Sequence, residues 1–207
     1  MRRIALILLT FFALSESPLY AQYFGRNKPR YQEKEFKVNE TRHFTIYDYL
    51  DNPEKLRELA ASAELWYHMH QAVLLDKKKK KNPMIIYNDH AGFPETNAIM
   101  GSISVGTGGV TEGLRNRVIF PIAMTNQQTH HVLGHELVHA FQYHMLIYGD
   151  STGLRNIANL PLWMVEGLAE YLSIGRIDAH TAMWMRDAVK HDALPKNLND
   201  LNSGRFF

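Results

Sequence analysis

A chain of 207 residues, 45% of them hydrophobic and 21% charged, holds one domain with a sizeable core and leaves no room for a second large one. Its formal net charge of +2 is scattered apart from the run Lys77 to Lys81, which removes the electrostatic case for nucleic acid. With no cysteine, disulfides, thiolate metal sites and a lipid-carrying cysteine are excluded, so any metal has to be held by histidine and carboxylate.

Arg2 and Arg3, the apolar stretch Ile4 to Leu14 and the tripeptide Leu19-Tyr20-Ala21 have the form of a signal peptide over residues 1–21. The mature domain is then expected to span 22–207, exported to the periplasm or the cell exterior. The apolar stretch falls short of the roughly 20 residues that cross a bilayer, and no later segment is long and apolar enough, so no integral membrane segment is expected after signal removal. Glu35 to Val38 and His43 to Tyr49 alternate in the manner of strands. Asn52 caps a helix with Pro53 in its first turn, and Leu56, Leu59, Ala60, Ala63, Tyr67, His70 and Leu74 give that helix one packing face. Lys77 to Lys81 reads as its solvated end. Met84 to Tyr87 and Val118 to Phe120 read as short buried strands.

Between those strands, Asn97 to Gly113 is glycine-rich, with Ile99, Ile103 and Val105 at strand-like positions. Gly106-Thr107-Gly108-Gly109 lacks both the Gly-Lys-Ser/Thr end of a phosphate loop and the spaced glycines of a dinucleotide fingerprint, which argues against nucleotide binding. Thr125 to Gln128 has the form of a capping box and opens a further helix, whose apolar side is Leu133, Leu137, Ala140, Phe141 and Met145 and whose end falls at Tyr148-Gly149.

That helix carries His135-Glu136-Leu137-Val138-His139. Residues four apart are separated by about 400° of rotation and about 6 Å of rise, so the two imidazoles project side by side and can share one ion. Glu136 is offset from them, placed to act as general base toward a metal-activated water. Neutral imidazoles suit Zn²⁺, and a catalytic site keeps three protein ligands and one open position. A third ligand is therefore required. Pro161 to Leu172 reads as a helix largely inside the protein, yet it holds Glu166 and Glu170 four apart on one face. Buried carboxylates need partners, and a metal site supplies them: one can bind the ion while the other takes a ligand histidine's free ring N–H.

His135-Glu136-Leu137-Val138-His139-Ala140-Phe141-Gln142, followed after 26 intervening residues by Glu166 in Trp163-Met164-Val165-Glu166-Gly167-Leu168-Ala169-Glu170-Tyr171, resembles the gluzincin clan of metallopeptidases. More narrowly it resembles bacterial exported peptidase-MA-like domains that often precede a Tol-type β-propeller; Tyr23 to Lys28 and Thr96 to Leu114 share that likeness. The resemblance implies an α+β, zincin-like fold: a small mixed sheet, an active-site helix with His135 and His139, and a second helix with Glu166 as third zinc ligand and Glu170 behind the ligands. It implies an active zinc peptidase acting on peptides or proteins, with Asn97 to Val105 as the sheet edge along which substrate lies and a propeller outside this chain as a further partner. The chain stops at Arg205-Phe206-Phe207 in what reads as mid-element, as a piece of a longer protein would. Val165 stands where gluzincins commonly have asparagine, and Gln142 and Met145 rule out the longer metzincin pattern.

Two other readings stay open: a non-catalytic, zinc-stabilised module serving a partner, and a metal-dependent amidase acting on cell-wall amides. His131, one turn before His135, reads as a polar helix-start residue in preference to a cleft residue. Asp150 is an alternative third ligand, although Tyr148 to Ser151 looks like a turn. Tyr143 and Tyr171 lie near the motifs, and neither is assigned to oxyanion stabilisation.

Overall fold

The structure, a computed structural model, describes residues 32–76, 78, 80–99, 101–147 and 160–202. The leader at 1–21, the stretch Tyr23 to Lys28, Tyr148 to Ser151 with Asp150, and the last residues lie outside the described ones.

Among the described residues the architecture is α+β, with strands β1 (Lys37–Glu40), β2 (Phe44–Asp48), β3 (Asn82–Tyr87), β4 (Val110–Glu112) and β5 (Arg117–Pro121). The helices are α1 (Pro53–Leu74), α2 (Asn126–Ile147), α3 (Leu162–Ile174) and α4 (Ala179–Lys190). The five strands form one mixed sheet in the order β1-β2-β3-β5-β4, parallel at β2–β3 and β3–β5 and antiparallel at both edges. α1 is the crossover that parallel pairing of β2 and β3 requires. Its start is fixed as expected: the Asn52 side chain accepts from the Lys55 amide at 3.1 Å and Pro53 occupies the first turn.

Alternation decides which face of the sheet is covered. Phe44 and Ile46 of β2, Met84 and Ile86 of β3, and Val118 and Phe120 of β5 point to one side and pack on Leu59, Ala63 and Trp66 of α1 and Leu133, Leu137 and Phe141 of α2. The opposite face carries Ile119, Tyr87 and Phe93 in a smaller cluster, closed by Ala98, Ile99, Ile103 and Val110. This corrects one expectation. Asn97 to Val105 forms turns and irregular backbone instead of a strand, Ile99 and Ile103 plug the smaller cluster, and Val105 is exposed. The edge strand beside the active-site helix is β4, only three residues long.

Two more expectations change. Lys78 is not solvated: its Nζ lies 4.7 Å from the Phe141 ring centre and donates to Asn82 Oδ1 at 2.5 Å, and burial pulls its ammonium down to about 7. α3 is not largely inside: among its residues only Ala169 is buried, while Leu162, Met164 and Tyr171 are exposed. It packs through one face onto α2.

α1 and α2 cross closely at Gly134, where a Cβ would come within 2.7 Å of the Trp66 ring. Trp66 Nε1 donates to the His130 carbonyl at 3.1 Å, and His70 Nε2 meets the Gly134 carbonyl at 2.9 Å. These contacts hold α2 from its sheet-facing side and leave its other side for chemistry.

Candidate metal centre

α2 begins where the capping sequence places it. Thr125 Oγ1 accepts from the Gln128 amide at 3.2 Å, while the Gln128 side chain turns to the Thr125 hydroxyl and not to its backbone amide. Two turns later His135 and His139 present Nε2 atoms 3.1 Å apart, and Glu166 of α3 brings Oε2 to 3.3 Å from each. The three predicted ligands therefore meet at one point. Ligand atoms about 2.0–2.1 Å from a tetrahedral ion stand about 3.3–3.4 Å from one another, so the triangle has the size zinc requires. The donor chemistry fits as well: two imidazoles and one carboxylate that hydrogen bonding to His135 and His139 lowers to about 2, fully ionised. Burial disfavours a charged His139, yet Glu166 and Glu136 beside it carry its pKa above the ordinary histidine value, the response of a ring held in a negative field.

The outer ring nitrogens have partners of their own. His139 Nδ1 lies 2.8 Å from Gln142 Oε1, and Gln142 Nε2 donates to the Val165 carbonyl at 3.0 Å, so one amide orients a ligand and ties α2 to α3. Glu170 behaves differently from expectation. Its Oε1 stands 3.6 Å from His135 Nδ1, longer than a hydrogen bond, and its Oε2 bonds His131 Nε2 at 2.8 Å. His131 thus lines the cleft and belongs with Glu170, contrary to its reading as a simple helix-start residue. Tyr143 also lines the cleft, whereas Tyr171 is 55% exposed and does not.

Glu136 is buried beside the triangle. Burial raises its pKa above the usual carboxylate value, against the pull of His139 and of Thr111. Thr111 Oγ1, on β4, lies 2.8 Å from the Glu136 carbonyl and 2.7 Å from its Oε2. Thr111 has one hydroxyl proton, so it shares that donor between the Glu136 carbonyl and its Oε2. Gly109 makes room for this arrangement, since a Cβ there would meet Glu136 Cγ at 2.8 Å and Oε1 at 2.9 Å.

Sequence reasoning missed Thr111 and Gln142. Gln142 was findable, one turn after His139 on the same helix; Thr111 was not, because only sheet pairing brings it to Glu136. The parts enclose a cleft of about 490 Å³ with α2 as floor, the Gly106–Gly109 loop and β4 on one side, and α3 on the other. A second histidine–carboxylate group, His43, Glu64 and His68, lies at the start of β2 and on α1, where Glu64 Oε2 is 2.6 Å from His43 Nδ1. It is open to solvent at His68.

No curated protein and no solved structure matches the chain significantly. One family model does, described as collagenase and matching residues 33–198, which takes in both strand edges, the cleft and every ligand named above. By that match, over well more than half of its length, the chain belongs to the collagenase family of zinc metallopeptidases.

Proposed function

We propose that this chain is a zinc peptidase of the gluzincin type, with His135, His139 and Glu166 as metal ligands and Glu136 as general base. The observation that carries the reading is the triangle of donors, 3.1 to 3.3 Å on a side, with a buried carboxylate beside it at the mouth of a cleft. Zinc held by His135, His139 and Glu166 would supply Lewis acidity toward a peptide carbonyl and toward water, and a positive charge that favours the carboxylate form of Glu136. Glu136 then takes the proton from the attacking water and passes it to the departing amide nitrogen, with Thr111 holding Oε2 in place. Gln142 fixes the His139 ring and Glu170 stands behind His135. β4 is an edge of the sheet, so its outer backbone groups are open to pair with an extended peptide, whatever its side chains. The reading includes an exported protein whose mature chain starts at Gln22, and a propeller partner as the resemblance implies; the mass of the secreted N-terminus tests the first.

The deciding comparison is wild type against Glu136→Gln on an unstructured protein substrate and a collagen peptide, with chelator and zinc add-back. Glu136→Gln is expected to keep zinc at near-equal occupancy and to lose at least about a hundredfold in hydrolysis. Equal turnover by the two proteins would remove Glu136 from the mechanism. Bound zinc without turnover in the wild type would favour the inert module, and release of cell-wall amides in place of peptides would favour the amidase.

A further inference from the structure

On the other side of Tyr143 from the cleft lies a second hollow of about 390 Å³ at the end of β4, lined among others by Lys80, Lys81, Leu114, Arg115 and His144. Tyr143 lines both spaces, and Gly113 lets the backbone after β4 pack against it: a Cβ there would stand 3.0 Å from the Tyr143 ring. Among the described residues no aspartate or glutamate is in the lining. Two of its basic side chains already have carboxylate partners, Lys81 with Glu40 and His144 Nδ1 with Asp76 at 2.6 Å. Lys80 and Arg115 are exposed and make no ion pair with any described residue. Pro83, Leu114 and Ile147 add apolar surface between the charges.

We infer that this hollow is a substrate subsite for acidic side chains, in which Lys80 and Arg115 receive the carboxylate and the apolar wall receives its methylene stem. The inference rests on the peptidase reading and adds a preference to it. Reach supports it. Thr111 borders Glu136 and Gly113 borders the hollow, two residues apart on the same edge, and an extended peptide advances about 3.3 Å per residue, so a chain paired with β4 passes the hollow within two or three residues of the scissile bond. Charge supports it too, because a one-sign lining concentrates the opposite sign on the approaching ligand. Antiparallel pairing with β4 places the preferred acid on the N-terminal side of the scissile bond and parallel pairing on the C-terminal side, so the position of the preference also reports the direction of binding.

The test is a set of matched quenched-fluorescent peptides carrying Glu, Gln or Lys at each of three positions on either side of one cleavable bond. For the zinc-loaded wild type, kcat/KM for Glu over Gln is expected to rise roughly two- to fivefold per engaged charge at one or two adjacent positions, and to shrink as salt is raised. The double reversal Lys80→Glu/Arg115→Glu is expected to invert that ratio in favour of Lys, while Arg57→Glu, a charge reversal of equal kind on α1, leaves the ratio as in wild type. Equal rates for Glu and Gln in the wild type, or a ratio unmoved by the double reversal, would overturn the subsite. If no peptide is cleaved the peptidase reading fails, and the hollow is judged separately by fluorescence anisotropy of the labelled Glu and Gln peptides on zinc-loaded Glu136→Gln. Tighter binding of the Glu peptide, lost in the double reversal, upholds the inference; equal binding ends it.

Discussion

In the proposed mechanism four atoms decide the chemistry: two imidazole nitrogens and one carboxylate oxygen that converge, and a second carboxylate oxygen beside them. Removing a converging atom and removing its support should differ in kind. Glu166→Ala and His139→Ala each delete one of three protein ligands and are expected to leave the purified protein without stoichiometric zinc, measured by metal analysis after dialysis. Gln142→Leu keeps the ligands and frees the His139 ring, so zinc is retained but its affinity falls about 10- to 100-fold, read by competition with a chelating dye. Gly109→Ala separates the base from the metal. Its methyl group would occupy the space of the Glu136 side chain, so turnover is expected to drop about tenfold or more while zinc content stays at the wild-type value.

At the level of elements, Lys78 links the end of α1 to the core through Phe141 and Asn82. Its folded-state pKa of about 7 lies below the ordinary lysine value of 10.5, so between those values the unfolded chain holds a proton the folded one has released. Stability from this group therefore rises with pH across that window, and the full cost of burying the charge is present below it. Lys78→Met is expected to gain roughly 1–3 kcal/mol relative to wild type at pH 6, with the gain shrinking toward pH 10, in urea unfolding at both pH values. A constant difference would show that Lys78 titrates like a surface lysine. Periodicity explains which elements were legible in the sequence. The helices at 53–74 and 126–147 announce themselves through caps and spaced apolar residues, and β2, β3 and β5 through buried alternation. β4 has three residues and two glycines before it, too short for a pattern, while the strand-like look of Ile99 and Ile103 comes from plugging the far side of the sheet and Val105 is exposed. The candidate ligands were legible because one helix sets His135 and His139 by its pitch alone, and because carboxylates among apolar residues ask for a partner. The apolar run of α3 misled about depth, since its Leu162, Met164 and Tyr171 are exposed and only one face packs on α2.

For the molecule as a whole, the described polar contacts between α2 and α3 all pass through the site: Glu166 to both ligand histidines, Glu170 to His131 and Gln142 to the Val165 carbonyl. Chelation is therefore expected to lower the melting temperature, since zinc at a thousand times its Kd stabilises by about 4 kcal/mol. Hydrogen exchange should locate the loss, with α3 amides speeding up far more than those of β3 and β5. Uniform acceleration would mean that the metal holds the whole domain and not one helix. The Trp66 contact at Gly134 has a bearing on how well such a site can be aimed. The ring nitrogens of His135 and His139 sit at the end of a lever some 6–7 Å from the axis of α2, so a roll of 20° about that axis would swing them by about 2 Å, a whole zinc–nitrogen bond length. An indole wedged against a bare glycine on the opposite side of the cylinder is a stop against that roll: the accuracy of the metal triangle is set from behind, by a residue that never sees the metal.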